Sequence, residues 1–237
     1  MTNFIVLLFI SLSAVLISVF GALMHIYEPF ISKKIKKNVL ALTALILCYT
    51  ALLDLVPLSL VSRAFSVQVF TLLLFLSIIF FVSIEFVRQK LVKIKNFFSN
   101  KKPDLPTLAY ISSVIFIIFG IAIGVITSSN IGSGILTATA LSLVGFLRLM
   151  HSGEIFSELK ISKSKSIKTI MLSAVILIPS SVVAYLVCSV FPLLRSVFLI
   201  FVTGGIVFLG AFAVKQFFAL YHFSVTPKTK ESTNDQK

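Results

Sequence analysis

Seven stretches of about twenty apolar residues follow one another along this chain, at 4–26, 39–60, 67–87, 107–127, 133–152, 169–190 and 197–217. A helix needs roughly 20 apolar residues to cross the hydrocarbon core of a bilayer. Within each run the apolar residues are continuous. Transmembrane β-strands instead alternate apolar and polar positions over about ten residues, so a barrel is excluded. In lipid the backbone hydrogen bonds must then close inside each segment, which leaves the α-helix. Charge agrees with this. Only 12% of the 237 residues are charged, about half the ~25% of soluble domains, too few to clothe a water-facing surface. The expected fold is all-α, a polytopic transmembrane helix bundle of about seven spanning helices. Residues 1–222 form a single transmembrane domain and 223–237 a short polar cytoplasmic tail. The first run has no basic residue before it and is too long for a signal-peptide core, so it reads as an uncleaved helix.

The net charge of +13 does not point to nucleic acid, because the cations sit in alternate loops. Lys33, Lys34, Lys36 and Lys37 fill the first loop. Arg88, Lys90, Lys93, Lys95, Lys101 and Lys102 fill the third, and Lys160, Lys163, Lys165 and Lys168 the fifth. The second and sixth loops hold only Arg63 and Arg195, and the fourth holds none. Loops rich in Lys and Arg stay cytoplasmic, which places the N-terminus outside and the C-terminus inside a cell membrane. The lipid bilayer is thus the first partner, and a membrane-protein partner or a second copy is compatible with the same reading. In the third loop Val87, Leu91, Ile94 and Phe98 recur at helical spacing among the basic residues. That pattern predicts a continuation of the third helix along the inner membrane face.

Ionisable residues inside membrane helices are functional candidates. Asp54, three residues before Pro57, is the one acid well within a run. It reads either as an ion or proton site or as an interfacial carboxylate wetted from outside. Arg148, Lys215 and Glu85 lie near helix ends, where long stems reach the interface. His25, His151 and His222 fall at cytoplasmic ends. His25 and Glu28, and likewise His151 and Glu154, are three residues apart, a spacing that puts a histidine and a carboxylate on one helix face and suits a metal. The candidate metal-binding residues are therefore Asp54, His25 and His151. Cys48 and Cys188 are isolated within runs and read as small buried hydrophobes, with no metal-type spacing. Gly120 and Gly124, and Gly204, Gly205 and Gly210, permit close helix approach. Pro57 and Pro179 can kink or end their helices and free backbone carbonyls.

The order of these features resembles the ZIP family of zinc and iron transporters. Gly21-Ala22-Leu23 followed by Lys33 to Lys37 is similar to that family's first helix end and basic loop. Asp54-Leu55-Val56-Pro57-Leu58 is similar to its His-Leu-Leu-Pro-Glu type segment, and Glu85 to the glutamate that closes its third helix. Gly120-Ile121-Ala122-Ile123-Gly124 matches the last part of its fourth-helix motif. Val202 to Phe208 resembles its seventh helix. The departures lie at the metal centre. Ile115, Phe116 and Phe119 stand where the resemblance places ligands, the fifth helix from Leu141 to Met150 lacks the His-Asn-x-Pro-Glu-Gly signature, and an eighth helix is missing. The resemblance therefore implies a transporter-like bundle with a degenerate metal site and a packed apolar centre. Such a bundle serves as an auxiliary or assembly subunit, or moves a non-metal solute, with no enzyme activity and no cofactor. The alternatives are a divalent metal transporter with a relocated site at Asp54 or the inner histidines, and a membrane-embedded metallohydrolase. A retinal-protein reading with Lys215 as the aldehyde-binding lysine is opposed by the absence of tryptophan and by the position of Lys215 close to the cytoplasmic end.

The loop asymmetry makes a direct prediction. An enzyme reporter that is active only outside the cytoplasm, fused after Lys237, should stay silent. A strong signal there would show an even number of crossings.

Overall fold

A computed structural model describes the backbone of residues 2–61, 65–98 and 105–225, with side chains at 3–30, 35–60, 65–83, 86, 110 and 112–219. Arg63, the tail beyond Val225 and the side chains of Glu85, His222 and the third-loop residues lie outside the described set. No strand occurs among the described residues. The helices are α1 (Thr2–Tyr27), α2 (Pro29–Tyr49), α3 (Val56–Val61), α4 (Val67–Phe98), α5 (Leu105–Ser129), α6 (Ile131–Glu158), α7 (Lys163–Val175), α8 (Leu177–Val190) and α9 (Pro192–Val225). A single π-helical turn, Thr50–Leu55, joins α2 to α3.

Seven crossings follow if α2, the π-turn and α3 count as one and α7 with α8 as another. Six of these are long and apolar enough to span a membrane. The third is different: its apolar part, Val67–Ser83, is shorter than the others, but α4 runs on to Phe98 without a break. The expected continuation of the third helix is therefore present in the backbone. The sixth crossing is interrupted at Ile176, just before Pro179. Pro179 has no N–H to offer the Val175 carbonyl one turn earlier, and α7 ends at Val175. Two turns are built by local chemistry. Asn130 is extended, and its side-chain oxygen accepts the Ser133 backbone N–H at 3.1 Å, starting α6. Lys160, with φ of 54°, closes α6: Ile161 N–H bonds back to the Phe156 carbonyl at 3.1 Å, a Schellman-type ending.

The bundle is assembled from helices distant in sequence. The most extensive packing is α1 on α6, then α5 on α8. Both pairs are parallel, because contacts advance together along the two chains. A Cβ on Gly21 would collide with the Phe146 carbonyl, and Gly153 lies against Ala22 and His25. A Cβ on Gly120 would strike Leu177 and Ser180, and one on Gly124 the Ser181 carbonyl. Gly204 and Gly205 likewise admit Ser77 and Phe81 of α4 against α9. Gly210, by contrast, makes only ordinary contact with Cys48.

Polarity is arranged for lipid. Phe9, Leu45 and Leu172 are 68%, 67% and 78% exposed, whereas Ser11, Ser18, Thr50, Ser181 and Thr203 are buried. Hydroxyls tie helices together inside: Ser11 to Ser181 at 2.8 Å, Ser59 to Thr203 at 3.1 Å, and Ser77 to the Phe201 carbonyl at 2.6 Å. Interhelical hydrogen bonds of this kind contribute roughly 0.6 kcal/mol on average in membrane proteins. The basic ends gather together, with Lys36 on Glu154 at 3.7 Å and Lys163 over the Tyr27 ring at 5.2 Å. At the opposite end Arg195 reaches the Ser128 carbonyl at 3.5 Å.

The glycine contacts predict unequal substitutions. Gly21→Ala should destabilise the detergent-solubilised protein by about 1–3 kcal/mol through overpacking against backbone, read as a lower thermal midpoint. Gly210→Ala should leave that midpoint nearly unchanged. Equal midpoints would show that α1 and α6 do not touch at Gly21.

Candidate functional site

Pro57 explains the irregular turn before it. In an α-helical register its ring would clash with the Leu53 carbonyl, and it brings no N–H to that acceptor. The chain widens instead, so that the Val56 N–H reaches the Ala51 carbonyl five residues back. Single π-turns of this type are frequent at functional sites. This one contains Asp54.

Asp54 is half-buried. Its Oδ1 accepts the Ser133 hydroxyl at 2.8 Å. Its Oδ2 is buried and has no hydrogen-bond partner among the described residues. Ser133 is well placed to hold the carboxylate, because its own backbone N–H is pinned by Asn130. It is also the third residue of α6, so the carboxylate lies at the positive end of a 28-residue helix, where an anion is favoured by roughly 0.3–1 kcal/mol, and more when partly buried. One turn further along α6 comes Thr137, which is fully buried. Its hydroxyl is also unpartnered among the described residues. A carboxylate oxygen and a hydroxyl, both shielded from solvent and both unsatisfied, thus occur on two packed elements. Buried polar groups without partners are uncommon and call for an explanation.

The histidines form a separate region at the basic end. His151 Nδ1 lies 3.2 Å from the Glu154 carboxylate, so the expected one-face pairing is present on α6. The matching pair on α1 does not form a helix face, because α1 stops at Tyr27 and Glu28 caps the next helix. His25 is buried beside Gly153, and His151 is exposed. Asp54 does not join them. It meets α6 at Ser133, and His151 is eighteen residues later, about 27 Å along a helix rising 1.5 Å per residue. Among the described residues no group of three or more His, Cys, Asp and Glu is gathered for a metal. Cys188 is buried and Cys48 half-buried, and both are free thiols. Lys215 is exposed.

The centre of the bundle is filled by rings. Phe116 and Phe119 are buried, with centroids 5.9 Å apart, and Ile115 packs against the same core. The positions that the sequence resemblance assigns to metal ligands are therefore packing positions. Comparison with protein-family models, with curated proteins and with solved structures finds nothing that matches this chain.

Ser133 and Thr137 escape a reading based on charged residues. Two signals for them were present: the Asn130 cap, which fixes where α6 begins, and the four-residue spacing, which puts both hydroxyls on one face.

The Asp54–Ser133 bond should be measurable by a double-mutant cycle on Asp54→Ala and Ser133→Ala. A coupling of roughly 1 kcal/mol is expected, read from unfolding of the protein in mixed micelles. Additive effects would show that the two side chains do not meet.

Proposed function

We propose that this multi-pass membrane protein transports a monovalent cation, with Asp54 as the ion-binding carboxylate, in a cell membrane with its N-terminus outside. One observation carries this reading: a carboxylate inside a crossing, on a π-turn, with one oxygen held by Ser133 and the other buried and without a partner among the described residues. An intramembrane acid is costly to keep unless it has a partner. A single carboxylate held by one hydroxyl offers one negative charge, which matches one positive charge.

The ZIP-type resemblance supports a transporter-like bundle and not the family's cargo. Zinc and iron(II) favour imidazole and thiolate donors, while Asp54 is accompanied by Ser133 and Thr137. The rings of Phe116 and Phe119 offer no replacement for a divalent ion's hydration shell. A role as an auxiliary subunit would leave the unsatisfied carboxylate without a purpose. The metallohydrolase reading would need a nucleophile and a metal gathered at one place, and Asp54 is about five helical turns from the inner histidines by the α6 path.

Purified protein in liposomes tests the proposal. Under an imposed gradient of sodium, potassium or protons, the wild type should dissipate at least one gradient faster than empty liposomes. Asp54→Asn should reduce that rate by roughly tenfold or more. No flux of any monovalent cation by folded wild-type protein would overturn the reading, and the search would then turn to partner proteins by crosslinking in native membranes.

A further inference from the structure

Thr137 behaves differently from the other buried threonines. Thr43, Thr50, Thr127 and Thr203 each donate to the carbonyl one turn back, on Val39, Ile46, Ile123 and Leu199, at 2.6–2.7 Å. That is the ordinary way for a threonine to satisfy its hydroxyl inside a helix. Even Thr139, exposed on the same helix, bonds to Ile135 at 2.9 Å. Thr137 has the Ser133 carbonyl at the same spacing and makes no such bond, although the residue is fully buried. Its position is one turn beyond Ser133, on the face of α6 that holds Asp54. The π-turn and α2 run antiparallel to α6, so Thr137 lies one turn from the Asp54–Ser133 pair, toward Thr50. Asp54 pairs with Ser133 at one end and Lys36 with Glu154 at the other, a nearly constant register.

We propose that the π-turn and the first two turns of α6 form a sodium site, with Asp54 Oδ2 and the Thr137 hydroxyl oxygen as direct ligands and Ser133 as the positioning residue. The inference rests on the ionic reading of Asp54 given above and adds the ion's identity and its second ligand. The donors are all oxygen, which suits a hard cation. They carry one negative charge, too little for magnesium or calcium, which take several waters or six to eight oxygens with more carboxylates. A proton on Oδ2 would satisfy that oxygen and leave Thr137 as it is. A metal ion between them satisfies both. Room decides between sodium and potassium: both oxygens are covered by packed protein, and the smaller ion asks for less space.

The test is equilibrium binding, separate from flux. Purified full-length protein in detergent at pH 7.5 and fixed ionic strength is titrated with radiolabelled sodium by scintillation proximity, with potassium and choline as competitors. Thermal midpoints are recorded in the same salts. The wild type should bind sodium saturably at one per chain and melt higher in sodium than in choline. Potassium should compete weakly. Thr137→Val, close in shape, should weaken sodium binding by roughly tenfold or more with an unchanged midpoint in choline. Thr139→Val should bind like the wild type, and Asp54→Asn should not bind. No sodium binding by the wild type, a midpoint that follows pH and not sodium, or undiminished binding by Thr137→Val would each overturn the site. Should Asp54→Asn fail to fold, Thr137→Val decides alone. Sodium binding without flux would keep the site and remove the transport reading, whereas flux of another cation without sodium binding would do the reverse.

Discussion

Lipid offers a polypeptide no hydrogen bonds, and most features of this chain follow from that deficit. Every backbone amide in the hydrocarbon layer has to find its partner inside the protein, which is why the described crossings are helical, with one break at Ile176 in the sixth. Irregular backbone is tolerated only where protein covers it. The π-turn obeys this rule: Thr50, Ala51 and Leu55 within it are buried, against α6 and α9. The same deficit sends side-chain hydroxyls inward. With lipid outside, a serine is better off bonding to its own helix or to a neighbour. Ser11 with Ser181 and Ser59 with Thr203 are such links between helices far apart in the chain.

Close packing is the other force that holds the bundle. Burying apolar side chains gains little against lipid tails, so helices associate through fit and short polar links. Glycines on α1, α5 and α9 let a neighbour's backbone or hydroxyl approach to where a methyl group would stand. Aromatic rings fill the wider gaps. Phe81 touches Phe201 and Phe208, at centroid distances of 5.4 Å and 6.4 Å, where α4 lies along α9. This seam accommodates a third crossing whose apolar part is shorter than the rest.

The architecture was legible in the sequence because its signals are local. Continuous apolar runs mark the crossings, Pro179 marks a break, and the spacing of Val87, Leu91, Ile94 and Phe98 marks a helix that outlasts its apolar core. Asp54 also stood out, as an acid inside a run. Its surroundings did not, because Ser133 is 79 positions away and nothing in a hydroxyl residue announces its partner. The unusual turn around Asp54 follows from Pro57, but a proline signals only that a helix is disturbed. Whether the chain kinks, ends or widens depends on what packs against it, and here α6 does. The histidine and glutamate pairs show the same limit. Identical spacing gave one helix face at His151 and Glu154, whereas His25 and Glu28 fall on either side of the end of α1, because Pro29 starts a new helix.

The pairing of α1 with α6 also sets a timetable for assembly. Gly21 meets Phe146, so more than a hundred further residues have to leave the ribosome before the first helix can find its main partner. At the roughly 5–20 residues per second of synthesis, that delay is on the order of ten seconds. Throughout it the notch at Gly21 and the Ser18 hydroxyl face lipid or a transient neighbour. In the finished fold Ser18 bonds to the Ala14 carbonyl of its own helix at 2.7 Å beside the 3.3 Å link to Ser142, and the first of these needs no other helix. The first helix thus carries a bond of its own beside the one it makes to α6, and the last helix, α9, on which α2 and α4 pack, completes the bundle.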